Sequence, residues 1–138
     1  MIRGITFSAF DLFHAGHVAM LSEAKGECDY LIACIHADPN KENSGKNKPI
    51  QSLLERQIQV NACRYVDETI VYESEEDVRN ILRTIPWNVR IIGEEYMNKH
   101  FTGKKEFFKP GKEIYYNYRQ HTFSSSELRE RIKCKKDK

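Results

Sequence analysis

The sequence predicts an α/β fold, an open parallel sheet with helices on both of its faces. Short apolar runs alternate along the chain with segments whose apolar residues recur at helical spacing, and this alternation is typical of a parallel sheet. The run at residues 30–35 is apolar throughout, as expected of a strand that is buried on both faces. With 138 residues, of which 40% are hydrophobic and 30% charged, the chain has the length and composition of one globular domain.

Five strands are expected, at residues 2–7, 30–35, 68–72, 89–92 and 112–116. The first is a short apolar run that ends in the small residues Ser8 and Ala9. The fourth is a further buried strand, and it ends at Gly93. Strands of this kind are connected by helices, so the chain should cross from one strand to the next over the faces of the sheet.

Four helices are expected, at residues 18–26, 52–65, 75–83 and 124–133. The first places Val18 and Leu21 on one face. The second opens with Ser52 followed three residues later by Glu55, which is the pattern of a capping box. Between the second strand and this helix, residues 38–48 are rich in polar residues and are bounded by prolines, so they should form a loop.

Charge is distributed unevenly along the chain. The formal net charge is +2, yet residues 128–138 contain six basic and two acidic residues. The remainder is therefore slightly acidic, which argues against nucleic acid as a partner, because nucleic-acid binding needs a broad basic face. We expect a single domain at residues 1–132, followed by a basic C-terminal tail at residues 133–138.

The sequence shows no sign of a membrane or secreted protein. No stretch approaches the ~20 apolar residues of a membrane span, and the N-terminus lacks the long apolar run of a secretory signal. The four cysteines form no Cys-x-x-Cys pair, and three lie in apolar segments. This pattern predicts free thiols in a reducing compartment, rather than disulfides or a zinc site, and hence a cytoplasmic protein.

Polar and charged residues follow the predicted strands. They are His14 and His17 after the first strand, the lysine-containing loop after the second, Gly93 and Glu94 after the fourth, and Arg119 with Ser124 and Ser125 after the fifth. Ligands of open parallel sheets bind beyond the carboxyl ends of the strands, where these residues should meet. Histidine, lysine, arginine and serine together suit a polyphosphate ligand.

The segment His14-Ala15-Gly16-His17 is the most specific signal in the chain. It stands where a strand gives way to a helix, and the free N–H groups and dipole of a helix N-terminus attract anions. Two histidines three residues apart can both face a phosphate at the first turn. Gly16 would let the ligand approach closely. The alternative is a chance pair of histidines at the start of a helix.

Residues 10–17, Phe-Asp-Leu-Phe-His-Ala-Gly-His, resemble the HxGH signature of the nucleotidyltransferase superfamily. Within it, the chain most resembles cytidylyltransferases of the glycerol-3-phosphate cytidylyltransferase type. Residues 64–68 and 91–96 resemble the middle of the family's sequences, and Arg119 with residues 123–126 resembles its second signature. The resemblance covers residues 2–132 and implies a Rossmann-like nucleotidyltransferase fold.

The resemblance implies transfer of CMP from CTP to a small phosphorylated acceptor such as glycerol 3-phosphate, with release of pyrophosphate. Two alternatives remain open. One is an ATP-dependent adenylyltransferase that acts on a sugar phosphate or a similar acceptor. The other is a nucleotide-binding module without catalytic activity.

The resemblance also assigns residues to the site. The catalytic residues would be His14, His17, Lys46 and Arg119. The nucleotide-binding residues would be Phe10, Asp11, Gly16, Lys48, Gly93, Glu94, Ser124 and Ser125. Lys48 is the rival of Lys46, and Asp11 would either orient its loop or contribute to the metal or substrate shell. Of Arg56 and Arg64, one would lie near the substrate and the other near a dimer interface.

Three further expectations concern the ion, the loop and the assembly. Mg²⁺ should be bound mainly through the nucleotide triphosphate, without a set of protein ligands, because too few carboxylates lie near the site for an all-protein cage. The loop at residues 38–48 should close over the triphosphate. By the resemblance, the protein should form a homodimer.

Overall fold

The computed structural model of the chain describes residues 1–104, 110–118 and 123–136. Within these ranges, five parallel strands form one sheet in the order β3-β2-β1-β4-β5. The strands are β1 (Arg3–Ser8), β2 (Tyr30–His36), β3 (Glu68–Tyr72), β4 (Val89–Gly93) and β5 (Glu113–Asn117). The predicted α/β fold is confirmed. Because the chain turns from one half of the sheet to the other between β1 and β4, the crevice for a ligand should open at their carboxyl ends.

Helices cover both faces of this sheet. They are α1 (Ala15–Gly26), α2 (Pro39–Glu42), α3 (Leu53–Asn61), α4 (Glu75–Thr84) and α5 (Ser125–Lys136), and a single 3₁₀ turn spans Glu94–Tyr96. On one face, α1 and α3 pack on β2 and β4 through Leu21 and Val60. On the other face, α4 packs on β1 and β2 through Val78 and Leu82. Among the described residues, no helix has the length and apolar character needed to cross a membrane.

Several boundaries differ from the sequence-based expectation, and α1 begins at Ala15 rather than at residue 18. The segment at residues 38–48 includes the short helix α2, because the Asp38 side chain accepts a hydrogen bond from the Asn40 amide (3.0 Å) and Pro39 suits the first turn. The capping box of Ser52 and Glu55 is confirmed, but α3 ends at Asn61 rather than at residue 65. Helix α5 ends at Lys136 rather than at residue 133.

Arg56 on α3 is nearly inaccessible, with 2% of its surface exposed. Its guanidinium donates to the carbonyl oxygens of Ala9 (3.0 Å) and Ala37 (2.6 Å), and also to that of His36. These carbonyls lie at the carboxyl ends of β1 and β2. Arg56 therefore joins the two strands where the ligand crevice begins, and it does not lie in contact with that crevice, in contrast to the expectation that it or Arg64 would approach the substrate.

Candidate active site

A cleft of about 800 Å³ opens at the carboxyl edge of the sheet. The ends of β1, β4 and β5 and the beginnings of α1 and α5 border it. Seven of the residues that the sequence assigned to the site line this cleft: His14, Gly16, His17, Lys46, Gly93, Ser124 and Ser125. The structure thus brings together residues from four separate segments of the chain.

The two histidines form the N-terminal cap of α1. His14 Nδ1 accepts a hydrogen bond from the Gly16 amide (2.9 Å), and His17 Nδ1 accepts one from the His14 amide (3.2 Å). The two ring centroids are 4.0 Å apart. Because each Nδ1 is an acceptor, each neutral ring carries its proton on Nε2. The cap therefore fixes both the orientation and the tautomer of the two histidines.

His14 is further linked to the start of α5. Its Nε2 lies 3.2 Å from Ser125 Oγ, and this hydroxyl donates to the Asp11 carbonyl oxygen (3.1 Å). Ser124 Oγ accepts a hydrogen bond from the Glu127 amide (3.0 Å), which makes it the cap of α5. The N-terminal ends of α1 and α5 therefore meet at one side of the cleft, and both present the positive end of a helix dipole to it.

Burial lowers the pKa of His17 to about 4, with a further contribution from repulsion by His14. The ring is therefore neutral near pH 7. It still offers a hydrogen-bond donor, because the cap holds its proton on Nε2. Interaction of His17 with a phosphate oxygen thus does not require the protonated form.

The lowered pKa makes the stability of the fold depend on pH. A histidine in the unfolded chain has a pKa near 6.5, so between pH 6.5 and 4 the unfolded chain binds a proton that folded His17 does not. We expect the free energy of unfolding to fall as the pH is lowered through this window. The same drop in pH should lower the free energy of unfolding of the His17→Asn variant by a smaller amount. Urea unfolding at pH 7 and pH 4.5 measures the difference. Equal losses in the wild type and the variant would contradict the lowered pKa.

Gly16 is required by contacts within the protein. A Cβ at this position would lie 2.7 Å from Cε1 of the His14 ring and 3.0 Å from the Phe123 carbonyl oxygen. The first distance is shorter than real Cβ contacts, and the second is tighter than most of them and involves a backbone carbonyl oxygen, which cannot easily move aside. Glycine at this position thus makes room for the His14 ring and the segment before α5; because Gly16 also lines the cleft, its expected role in the close approach of a ligand stays a prediction.

Asp11 lies beneath the cleft and does not line it. Its carboxylate accepts hydrogen bonds from the amides of Ile50 (2.9 Å) and Gln51 (3.0 Å), and it forms an ion pair with Arg129 of α5 (2.8 Å). Of the two roles expected for Asp11, these contacts support the first, orientation of its loop. The carboxylate joins the loop after β1, the segment before α3, and α5.

Three other residues assigned to nucleotide binding do not line the cleft: Phe10, Lys48 and Glu94. The Phe10 side chain is buried in the core between the sheet and α1. Glu95 lines the cleft in place of Glu94, and a Cβ on Gly93 would overlap its carboxylate. Arg119 lies outside the described residues.

The sequence reasoning missed several charged residues of the cleft, among them Glu75 at the start of α4 and Arg90 in β4. Arg90 is the more unusual, since charged side chains rarely occupy buried strands. An arginine between Val89 and Ile91 in an otherwise apolar run was a signal that could have been used.

Comparisons with known proteins agree with this geometry. A family model described as cytidylyltransferase-like matches residues 5–131. The probable ethanolamine-phosphate cytidylyltransferase of Encephalitozoon cuniculi is 52% identical over 91 residues, which are 66% of this chain and 23% of that protein. The ethanolamine-phosphate cytidylyltransferase of Dictyostelium discoideum is 33% identical over 127 residues, which are 89% of this chain and 35% of that protein. The chain thus spans about a quarter to a third of the length of these relatives.

A solved structure shows the same fold. The lipopolysaccharide core biosynthesis protein of Thermoplasma volcanium superposes with a TM-score of 0.59 at 22% sequence identity. The superposition covers 97% of this chain and 88% of that protein. At this level of identity the likeness concerns the fold alone.

Proposed function

This chain belongs to the cytidylyltransferase-like family, and we propose that it transfers CMP from CTP to a small phosphorylated acceptor. An oxygen of the acceptor phosphate forms a bond to the α-phosphorus of CTP, the bond from that phosphorus to the bridging oxygen breaks, and pyrophosphate leaves. The observation that carries this proposal is the histidine-capped N-terminus of α1 in the cleft, where His14, Gly16 and His17 meet.

The geometry suits phosphoryl chemistry of this kind, in which positioning and charge stabilisation supply most of the rate. His17 offers Nε2–H to an oxygen on the reacting phosphorus. Lys46 brings a positive charge to the cleft, and the starts of α1 and α5 add the positive ends of two helix dipoles. All of these groups favour the extra negative charge that an attacked phosphate develops.

Ethanolamine phosphate is the acceptor we propose, because the curated relatives above carry that substrate in their names. Glycerol 3-phosphate is the alternative acceptor, and ATP is the alternative nucleotide. A screen of pyrophosphate release tests CTP and ATP against both acceptors. We expect release with CTP and ethanolamine phosphate to exceed the other combinations. Tight binding of CTP without release of pyrophosphate, with either acceptor, would instead indicate a nucleotide-binding module.

We propose that Mg²⁺ enters with the nucleotide and screens its phosphates. Among the described residues, no three His, Cys, Asp or Glu side chains cluster as metal ligands. An ion held mainly by triphosphate oxygens and water would not need such a cluster. We expect excess EDTA to abolish pyrophosphate release and added MgCl₂ to restore it. Undiminished release in the presence of the chelator would contradict this expectation.

Lys46 and Lys48 should differ in their effect on nucleotide binding. Both lie in the exposed segment before α3, but only Lys46 lines the cleft. We expect Lys46→Ala to raise the KM for CTP about tenfold, as the loss of one charged hydrogen bond would do. Lys48→Ala is the matched control and should change it less than twofold. If steady-state kinetics show equal changes in the KM for CTP, Lys46 and Lys48 do not differ in nucleotide binding.

A homodimer in the cytoplasm is also part of this proposal. Leu54 and Ile58 are each more than half exposed, and their spacing of four residues places them on one side of α3, while Ile50, equally exposed, lies just before this helix. Such an apolar stripe supports an interface with a second copy. The four cysteines are free thiols, which supports a reducing compartment. Nucleic acid is not among the proposed partners.

A further inference from the structure

Arg90 is a buried cation in the wall of the cleft. It lies in the middle of β4 with 6% of its surface exposed. Its guanidinium carbon is 5.0 Å from the ring centroids of both Phe7 and Phe101. One terminal nitrogen donates to the Thr102 carbonyl oxygen, whereas Nε has no hydrogen-bond partner.

This charge forms no ion pair with a carboxylate in the part of the chain that the structure describes. A buried charge without a counterion is costly, and burial accordingly lowers the pKa of Arg90 to about 10. Arg90 nevertheless remains protonated at neutral pH. A cleft that contains such a group is suited to an anionic ligand that supplies the missing counterion.

Arg90 faces the side of the sheet opposite to α1. Val89 and Ile91 pack with Leu21 of α1, and successive side chains of a strand point to opposite faces. The histidine cap of α1 and Arg90 therefore approach the cleft from the two faces of the sheet. An in-line displacement needs the attacking and leaving groups on opposite sides of the α-phosphorus, and a nucleophile held at Arg90 with a triphosphate held at the histidine cap would meet this requirement.

A carboxylate stands next to Arg90 without contacting it. Thr102 accepts the Arg90 hydrogen bond through its carbonyl oxygen, and its hydroxyl donates to Glu75 Oε2 (2.5 Å). Glu75 is exposed at the start of α4 and lines the same cleft. Thr102 thus lies between the buried guanidinium of Arg90 and the carboxylate of Glu75, which is nearer the opening of the cleft. A ligand with an anionic end and a short cationic arm matches these two charges.

Resting on the proposed function, we infer that Arg90 binds the phosphate of the acceptor and that Glu75 binds an ammonium group on its short arm. The acceptor class is therefore a phosphorylated amino alcohol. The phosphate held by Arg90 is the nucleophile, and its approach from the face opposite to α1 leaves the triphosphate to the histidine cap. Glu75 distinguishes this class from an uncharged polyol phosphate.

Kinetics of substituted proteins test the inference. We expect Arg90→Met to raise the KM for ethanolamine phosphate about 10- to 100-fold, while the Kd for CTP measured by calorimetry stays within about twofold. Arg90→Lys keeps the charge, so it should raise the same KM by only about tenfold, the lower end of the range expected for Arg90→Met. Arg83→Met on the exposed side of α4 is the control and should leave both constants unchanged. An acceptor KM within about twofold of the wild type in both Arg90 variants would overturn the inference.

Glu75→Gln tests the charge selection separately. We expect it to lower the ratio of kcat/KM for ethanolamine phosphate over glycerol 3-phosphate about tenfold. Glu76→Gln, one residue along the same helix, is the matched control and should leave the ratio unchanged. An unchanged ratio in Glu75→Gln would overturn the assignment of the ammonium site.

The same assays separate this inference from the proposed function. If the wild type releases no pyrophosphate with any acceptor, the proposed function fails, and the inference that rests on it fails too. If the wild type turns over and the Arg90 and Glu75 variants match it, only the inference fails. Thermal unfolding of each variant shows whether it is folded. If Arg90→Met does not fold, the variants Glu75→Gln and Arg90→Lys still test the inference.

Discussion

Replacement of His17 by asparagine is expected to lower kcat about 100- to 1000-fold while the Kd for CTP changes less than about threefold. Asparagine places an acceptor oxygen near the position of Nδ1, so the hydrogen bond from the His14 amide can persist. It removes the Nε2–H donor on the other side of the ring. That donor should bind most strongly to the charge that builds up in the transition state, so its loss falls on the chemical step.

Single-turnover measurements of CMP transfer and calorimetric titration with CTP separate the two effects. The free energy of unfolding at pH 7 is the control, because His17 is neutral there in both the folded and, for the most part, the unfolded chain. A variant that is folded and retains kcat within about threefold of the wild type would exclude His17 from the chemistry. A loss of CTP affinity with kcat unchanged would make His17 a binding residue only.

Replacement of Arg56 by methionine is expected to cost about 3 kcal/mol or more of the free energy of unfolding. Methionine fills much of the same volume but donates no hydrogen bond. The carbonyl oxygens of Ala9, His36 and Ala37 would then lose a charged donor at the ends of β1 and β2. Leaving buried acceptors without a partner is among the most destabilising effects of a single substitution.

Urea unfolding followed by circular dichroism measures this loss, and Arg64→Met is the matched control. Arg64 is exposed and contacts the ring and hydroxyl of the neighbouring Tyr65. Its substitution should change the free energy of unfolding by less than about 0.5 kcal/mol. Similar losses for the two variants would mean that the Arg56 hydrogen bonds do not stabilise the fold.

Local patterns in the sequence were sufficient for most of the fold. The apolar run of β2 is typical of a strand buried on both faces, and the capping box of Ser52 and Glu55 is a signal within four residues. The His14–His17 cap of α1 is equally local. Such short patterns reflect hydrogen bonds between residues that are close in the sequence. The order of strands and helices along the chain could therefore be predicted.

The roles of the buried charged residues could not be predicted in this way. The partners of Asp11 lie 39, 40 and 118 positions along the chain, and those of Arg56 include carbonyls 47 positions away. Arg90 could be noticed as a charge in an apolar strand, but its contacts with Phe7 and Phe101 depend on the packing of three segments. Such contacts are set by the tertiary fold rather than by periodicity.

Phosphorus NMR of the wild type with CTP, Mg²⁺ and ethanolamine phosphate tests CMP transfer most directly. We expect the signals of CTP and ethanolamine phosphate to decline together, with equal amounts of pyrophosphate and of a diphosphate diester formed. The diester should be absent when ethanolamine phosphate is left out. Consumption of CTP to CMP and pyrophosphate without a diester, or binding of CTP without consumption in the presence of any phosphorylated acceptor, would contradict transfer of CMP at this cleft.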